Sequence, residues 1–64
     1  SKAGARGVAL DDMQGEGWAR VHSENWRVVS RVPLARGQKI RVTGIDGLTL
    51  SVEPESEQPN GGTS

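Results

Sequence analysis

The sequence predicts an all-β fold, a small barrel or sandwich built from five short strands. Hydrophobic side chains recur at every second position, and no stretch has a helical apolar stripe of useful length. Nine glycines punctuate the alternating stretches and supply the turns between them. With 64 residues, of which 33% are hydrophobic, the chain can bury one thin core, so we expect one domain.

Five stretches alternate in this way, in chain order RGVALD, GWARVH, NWRVVSRV, QKIRVTG and GLTLSVEP. The β domain is therefore expected over residues 6–54. Residues 1–5 are small and polar, and residues 55–64 contain no hydrophobic side chain that could anchor them. We expect a flexible leader before the domain and a disordered C-terminal tail after it.

Side-chain parity predicts the register of the last hairpin, because residues directly opposite in an antiparallel pair share a face. A three-residue loop over residues 45–47 pairs Val42 with Leu50 and places Gly47 where a left-handed backbone is needed. The expected core residues of this hairpin all have even numbers: Ile40, Val42, Leu48, Leu50 and Val52.

The stretch VHSENW, residues 21–26, contains a histidine, a serine and a glutamate, the residue types of a hydrolytic triad. Triad members come from separated chain positions, because nucleophile, base and acid must converge within hydrogen-bond reach. Adjacent residues on a strand or turn point apart instead, and no Gly-x-Ser-x-Gly motif supports Ser23 as a nucleophile. We therefore expect no catalytic residue here and an exposed His22.

The same stretch is better explained as the bend of the second hairpin. Its connection, residues 22–25, is either a four-residue loop or a two-residue turn at Ser23-Glu24. Trp26 then faces inward and is expected to be the main core filler. This register pairs Val21 with Trp26 and Ala19 with Val28.

Trp18 has the opposite parity and is expected on the outer face of the domain. In this register Trp18 lies opposite Val29, and two arginines oppose each other next to it. Exposed aromatic and arginine side chains are typical of interaction hot spots, although arginines could instead cover Trp18 through cation–π contacts. We predict a partner-binding face that consists of Trp18, Arg20, Arg27, Val29 and Arg31.

Charge and composition limit the other function classes. Eight basic and eight acidic residues give zero net charge, without the basic stripe of a dedicated nucleic-acid binder. The absence of cysteine excludes disulfides and thiolate–zinc sites, and Asp11-Asp12 lacks a third ligand for a cation. No glycine-rich stretch has the form of a phosphate-binding loop. We expect neither a metal nor a cofactor.

The ordered set of motifs resembles one known family. RGVALDDM, Gly17, ENWRVVS, PLARGQKIRVTGIDG and LTLSVEP, which together span residues 6–54, are similar to the C-terminal soluble domain of NfeD-family membrane proteins. The resemblance implies a small five-stranded OB-like β-barrel. Gly15 and Ser23 depart from it, because the family pattern leads us to expect Pro and Gly at these positions.

The resemblance also implies a function. It points to a non-catalytic protein-interaction domain, a soluble part of a membrane protein whose anchor lies outside this chain, on either side of the membrane. The implied partner is a membrane protein of the stomatin/flotillin family. The alternative is an OB-fold module for single-stranded nucleic acid, which would stack bases on Trp18 beside Arg20, Arg27 and Arg31.

Overall fold

The structure, a computed structural model, describes residues 4–55, and within them it contains five strands and no helix. The strands are β1 (Arg6–Ala9), β2 (Glu16–Val21), β3 (Glu24–Ser30), β4 (Lys39–Asp46) and β5 (Thr49–Pro54). They close into a barrel in the order β1-β2-β3-β5-β4, in which only β3 and β5 run parallel. This confirms the predicted small five-stranded OB-like β-barrel.

Most of the predicted leader, residues 1–5, and of the predicted tail, residues 55–64, lies outside the described residues. The parts that are described make contacts with the barrel. The Gly4 N–H donates to the Val42 carbonyl at 2.7 Å, and the Glu55 N–H donates to the Lys39 carbonyl at 2.9 Å.

The core is aliphatic and follows the predicted alternation. Among the described residues no polar or charged side chain is buried. The predicted core residues of the last hairpin are buried as expected, with the exception of Leu48, which is 82% exposed at the hairpin tip. The buried residues are Ala9, Met13, Ala19, Val21, Val28, Leu34, Ile40, Val42, Leu50 and Val52.

The predicted register of the β4–β5 hairpin is wrong. Val42 pairs with Val52, and a β-bulge between Val42 and Gly44 shifts the rest of β4 by one residue. The bulge reverses the parity of β4, so that Ile45 lies opposite the buried Leu50. Only two residues, Gly47-Leu48, remain for the turn, and Leu48 therefore projects from it. The expected left-handed backbone at Gly47 is confirmed by its φ of 68°.

The predicted register of the β2–β3 hairpin is also wrong, by two residues. Val21 pairs with Glu24, and Ala19 pairs with Trp26. The turn is His22-Ser23, with φ of 53° and 66°, the left-handed pair of a type I′ turn, whose twist matches that of its strands. Neither predicted form of the connection is present, but the faces are as predicted because a shift of two preserves parity.

Trp26 is the residue most affected by this shift. It keeps its inward parity, but its partner is Ala19, and it lies half-buried against the edge of the core. It is therefore not the main core filler, and aliphatic side chains take that role. Ser23 adopts the backbone conformation that glycine accepts without strain. The φ of 144° at Gly15 excludes Pro, whose ring holds φ near about −65°.

The two ends of the barrel differ. At the loop end, Met13 and Leu34 exchange backbone hydrogen bonds of 2.9 and 3.0 Å, and both side chains are buried. The N–H of Arg36 also donates to Asp12 Oδ1 at 2.8 Å. At the hairpin end, the turns at residues 22–23 and 47–48 project side by side, because β3 and β5 start there and run parallel.

Candidate functional site

An open groove with a volume of about 460 Å³ lies at the hairpin end, between β2, β3 and the turn that joins β4 to β5. We call it the hairpin groove. OB-fold proteins bind their ligands on the face of β2 and β3 and with the β1–β2 and β4–β5 loops, so the groove occupies the part of this ligand position that adjoins the β4–β5 turn. Its lining residues are Trp18, Glu24, Asn25, Trp26, Arg27, Leu48 and Thr49.

Trp18 and Arg27 form one wall of the hairpin groove. They are direct cross-strand partners, and the Arg27 Cζ lies 5.8 Å from the centroid of the Trp18 ring. Arg27 Nη2 also donates to Glu16 Oε2 at 3.0 Å. The cation–π contact that the sequence left open as an alternative is therefore present, yet Trp18 remains 46% exposed. The arginine covers part of the ring and leaves the rest accessible.

Trp26 and Leu48 supply the remaining apolar surface. Trp26 rests on the core edge, and its Nε1 donates to Glu24 Oε1 at 3.2 Å. Leu48 projects from its turn and is almost entirely in water. The chain has two tryptophans and neither tyrosine nor phenylalanine. Both tryptophans line this one groove.

The structure divides the predicted partner-binding face into three parts. Trp18 and Arg27 line the hairpin groove, whereas Val29 and Arg31 line a second groove of about 800 Å³ that runs along β3, β5 and the bulge of β4. Arg20 lies beside the hairpin groove, opposite Asn25. The expected pairing of Arg20 with Arg27 and of Trp18 with Val29 is absent because the register is shifted by two.

Several lining residues were not predicted from the sequence. Glu24, Asn25 and Thr49 enter the groove only in the observed register, and Trp26 does so because it lies near the barrel end. Leu48 was assigned to the core. The signal that could have found it is Gly47-Leu48 read as a two-residue turn, since a glycine at the first central position is typical of type II′ hairpins.

The basic side chains differ in how they are used. Arg6 and Arg41 are cross-strand partners, and carboxylates offset their repulsion: Arg6 Nε lies 3.0 Å from Glu55 Oε2, and Arg41 Nη2 lies 2.7 Å from Glu53 Oε2. Within residues 4–55, by contrast, Arg20 makes no ion pair. The cation beside the hairpin groove is therefore available to a ligand.

Over 4–55, no group of three or more His, Asp or Glu side chains is arranged to hold a metal ion. Asp12 bonds to the backbone of the β3–β4 connection. His22 and Ser23 are both exposed in their turn. The described part of the chain has no helix of the length and apolar character needed to cross a bilayer.

A closed five-stranded barrel with an aromatic groove on its β2–β3 face defines an OB-like domain. Residues 1–54 match the family described as the NfeD-like C-terminal, partner-binding domain. The chain belongs to this family, which confirms the resemblance drawn from its motifs.

Relatives with curated sequences are longer than this chain. It is 31% identical over 52 residues to an uncharacterised protein of Methanocaldococcus jannaschii, and the aligned residues cover 78% of this chain and 38% of the relative. It is 33% identical over 57 residues to a membrane-bound protease of Pyrococcus horikoshii, and the aligned residues cover 86% of this chain and 13% of the protease. The chain thus spans well under half of either protein.

Two solved structures share the fold over nearly their whole length. The C-terminal domain of a stomatin operon partner protein from Pyrococcus horikoshii superposes with a TM-score of 0.82 at 33% identity, covering 88% of this chain and 91% of that one. The soluble domain of a Corynebacterium glutamicum membrane protein implicated in regulating membrane protease activity gives 0.78 at 27% identity, with coverage of 86% and 94%.

Proposed function

We propose that this chain is a non-catalytic protein-interaction domain of a membrane-anchored NfeD-like protein, and that it binds a stomatin- or flotillin-type partner through the hairpin groove. The observation that carries the proposal is the position of two exposed apolar side chains, one of them the most exposed large hydrophobic residue among those described. Trp18 and Leu48 line one groove at the ligand-binding face of the fold. The family description as partner-binding and the stomatin operon partner among the similar structures support it.

The barrel gains little from leaving these side chains where they are. Exposed apolar surface forfeits about 25 cal/mol for each Å² that could be buried, and the chain has few large hydrophobic residues to spare. A clustered aromatic and aliphatic surface with charged neighbours is typical of protein interfaces. We therefore assign Trp18 and Leu48 to binding, with Trp26 as the support between them.

Catalysis is assigned outside this domain. The protease among the relatives is a much longer protein, of which this chain spans 13%. The matching family is described by partner binding and not by a reaction. Among the described residues, no histidine, serine or cysteine lines the hairpin groove, and its carboxylate, Glu24, accepts a hydrogen bond from Trp26 Nε1 at 3.2 Å.

Binding of the immobilised 64-residue chain to a purified stomatin-family protein, measured by biolayer interferometry, tests the proposal. Trp18→Ala and Leu48→Ser should each weaken binding by about tenfold or more, as expected for hot-spot side chains. Ile45→Ser is the matched control, because Ile45 is also 46% exposed but does not line the groove. Equal binding by all three variants would remove the groove from the proposal, and no binding by the wild type would remove this partner class.

A nucleic-acid function is the second candidate, because Trp18, Arg20 and Arg27 lie on the face where OB folds stack single strands. Glu16 and Glu24 border the same face and disfavour a run of phosphates. A labelled oligo(dT) titrated at low salt distinguishes the two functions. Nucleic-acid binding requires a steep loss of affinity with salt, with a slope of about −0.7 for each neutralised phosphate.

A further inference from the structure

The geometry points to a specific chemistry for the segment that occupies the hairpin groove, an inference that rests on the proposed function. We infer that the groove binds an acidic–apolar segment of a partner polypeptide. An aliphatic side chain of that segment lies between Trp18 and Leu48, and an adjacent Asp or Glu carboxylate is bound jointly by Arg20 and Arg27.

Four outward side chains of β2 and β3 form the anion-binding part of this site. Trp18 pairs with Arg27 and Arg20 pairs with Asn25, so the two arginines are diagonal neighbours on one face. Diagonal neighbours of this kind lie about 7–8 Å apart, a distance from which two long side chains can reach the same carboxylate. Asn25 adds an amide donor at the edge of the groove.

Arg27 is already held in place for this role. Its guanidinium lies over the Trp18 ring and uses Nη2 for Glu16, which leaves most of its five N–H donors for a ligand. The Arg27 and Glu16 side chains are 45% and 61% exposed, so their ion pair is weak and a partner carboxylate can share or replace it at little cost. A guanidinium fixed in advance loses less entropy on binding than a free one.

Arg20 supplies a positive charge next to the groove that no carboxylate of the described residues compensates. Within the described part of the chain it has no acidic partner, in contrast to Arg6, Arg27 and Arg41. The local excess of positive charge therefore lies beside the apolar part of the groove. This charge complementarity favours an acidic occupant over a basic or purely apolar one.

Two carboxylates near the arginines limit how much negative charge the occupant can carry. Glu16 lies at one side of the arginine pair, and Glu24 lines the groove beside Trp26. A nucleic acid brings a charge with every nucleotide and would place phosphates against these carboxylates. One carboxylate next to an aliphatic side chain fits the small cationic area and the apolar surface together.

The test uses three capped peptides with leucines at the same positions and Glu, Lys or Gln between them, added to the 64-residue chain. Because both tryptophans line the groove, their emission reports its occupation without a label. The Leu–Glu peptide should bind about tenfold more tightly than the Leu–Lys peptide, and its advantage should shrink as salt is raised. The Leu–Gln peptide should fall between them.

Variants assign the preference to residues. Arg20→Gln and Arg27→Gln should each reduce the Glu-over-Lys preference about threefold or more, the effect of losing a charged contact at a partly exposed site. Arg27→Lys should restore only part of it, because an ammonium lacks the planar fork. Arg31→Gln is the matched control: it removes the same charge from the second groove and should leave the preference intact.

The outcomes separate this inference from the proposed function. Equal binding of the three peptides, or an equal loss of the Glu-over-Lys preference in Arg31→Gln, would overturn the inferred preference for an acidic–apolar segment, which we call the acidic–apolar rule. It would do so even if a stomatin-family protein still bound the groove. A clear peptide preference without binding of that protein would keep the rule and reject the partner class. A larger, strongly salt-dependent emission change with oligo(dT) would overturn the rule in favour of nucleic acid.

Discussion

The loop end and the hairpin end of the barrel use similar residue types for opposite purposes. At the loop end Met13 and Leu34 are 4% and 3% exposed and extend the core. At the hairpin end Leu48 and Trp18 are 82% and 46% exposed and border an open groove. Hydrophobic content alone therefore does not locate the core of so small a barrel. The turns that close each end decide whether a leucine is buried or exposed.

Backbone bonding explains how the two ends diverge. The Met13–Leu34 bridge and the Asp12 contact to Arg36 tie the β1–β2 and β3–β4 connections to each other across the loop end. Two tight turns project from the hairpin end, and no backbone hydrogen bond between described residues joins one turn to the other. The side chains of the hairpin end therefore remain available for binding while the loop end completes the core.

The largest predicted effect is a loss of stability caused by a substitution at the loop end. Leu34→Ala removes a buried side chain and should lower the free energy of unfolding by about 2–5 kcal/mol, whereas Leu48→Ala should change it by no more than about 0.5 kcal/mol. Urea unfolding of both variants, followed by circular dichroism, measures the two changes. A larger loss for Leu48→Ala would mean that the hairpin end, and not the loop end, completes the core.

A second prediction concerns the wall of the barrel. A Cβ at Gly7 would lie 2.4 Å from the Arg20 carbonyl oxygen and 2.7 Å from Val21 Cγ2, so Gly7→Ala should destabilise the barrel by about 1–3 kcal/mol or more. Gly44→Ala is the control, because nothing lies within 4 Å of a Cβ there. Comparable melting temperatures for the two variants would show that β1 can move away from β2.

Trp26 connects the core to the groove, and its removal should have an intermediate effect. Trp26→Ala should cost about 1–2 kcal/mol, less than the ~3–5 kcal/mol typical of a fully buried aromatic residue, because only part of the ring is covered. The measurement is the same urea titration. A loss as large as the upper range would restore Trp26 as the main core filler, the role that its parity alone predicted.

The fold was predictable because its signals are local and repeated. Alternation over each strand identified an all-β fold, a barrel or a sandwich, and the buried faces of its strands, and Val42, Leu50 and Val52 are buried as their parity requires. The motifs of residues 6–54 identified the family. These features persist when a strand slips by two residues, since such a slip preserves parity.

The candidate site was less predictable because it depends on register. A bulge in β4 and a turn at His22-Ser23 each moved a strand relative to its neighbour, and neither has a strong sequence signal. His and Ser are not the residues that a type I′ turn usually contains. Trp18 and Arg27 were both named for the binding face, but their direct contact followed only from the observed pairing.

The smallest predicted effect addresses that turn. Ser23 has a φ of 66°, a left-handed conformation in which a Cβ costs roughly 1–2 kcal/mol, whereas glycine carries no such penalty but loses about 0.5–1 kcal/mol through its greater freedom when unfolded. Ser23→Gly should therefore stabilise the domain by about 0.5 kcal/mol, which raises the melting temperature by about 2–4 °C in a domain of this size. Ser23→Ala keeps the Cβ and should bring no gain. An equal rise in both variants would show that removal of the hydroxyl, and not relief of backbone strain, stabilises the hairpin end.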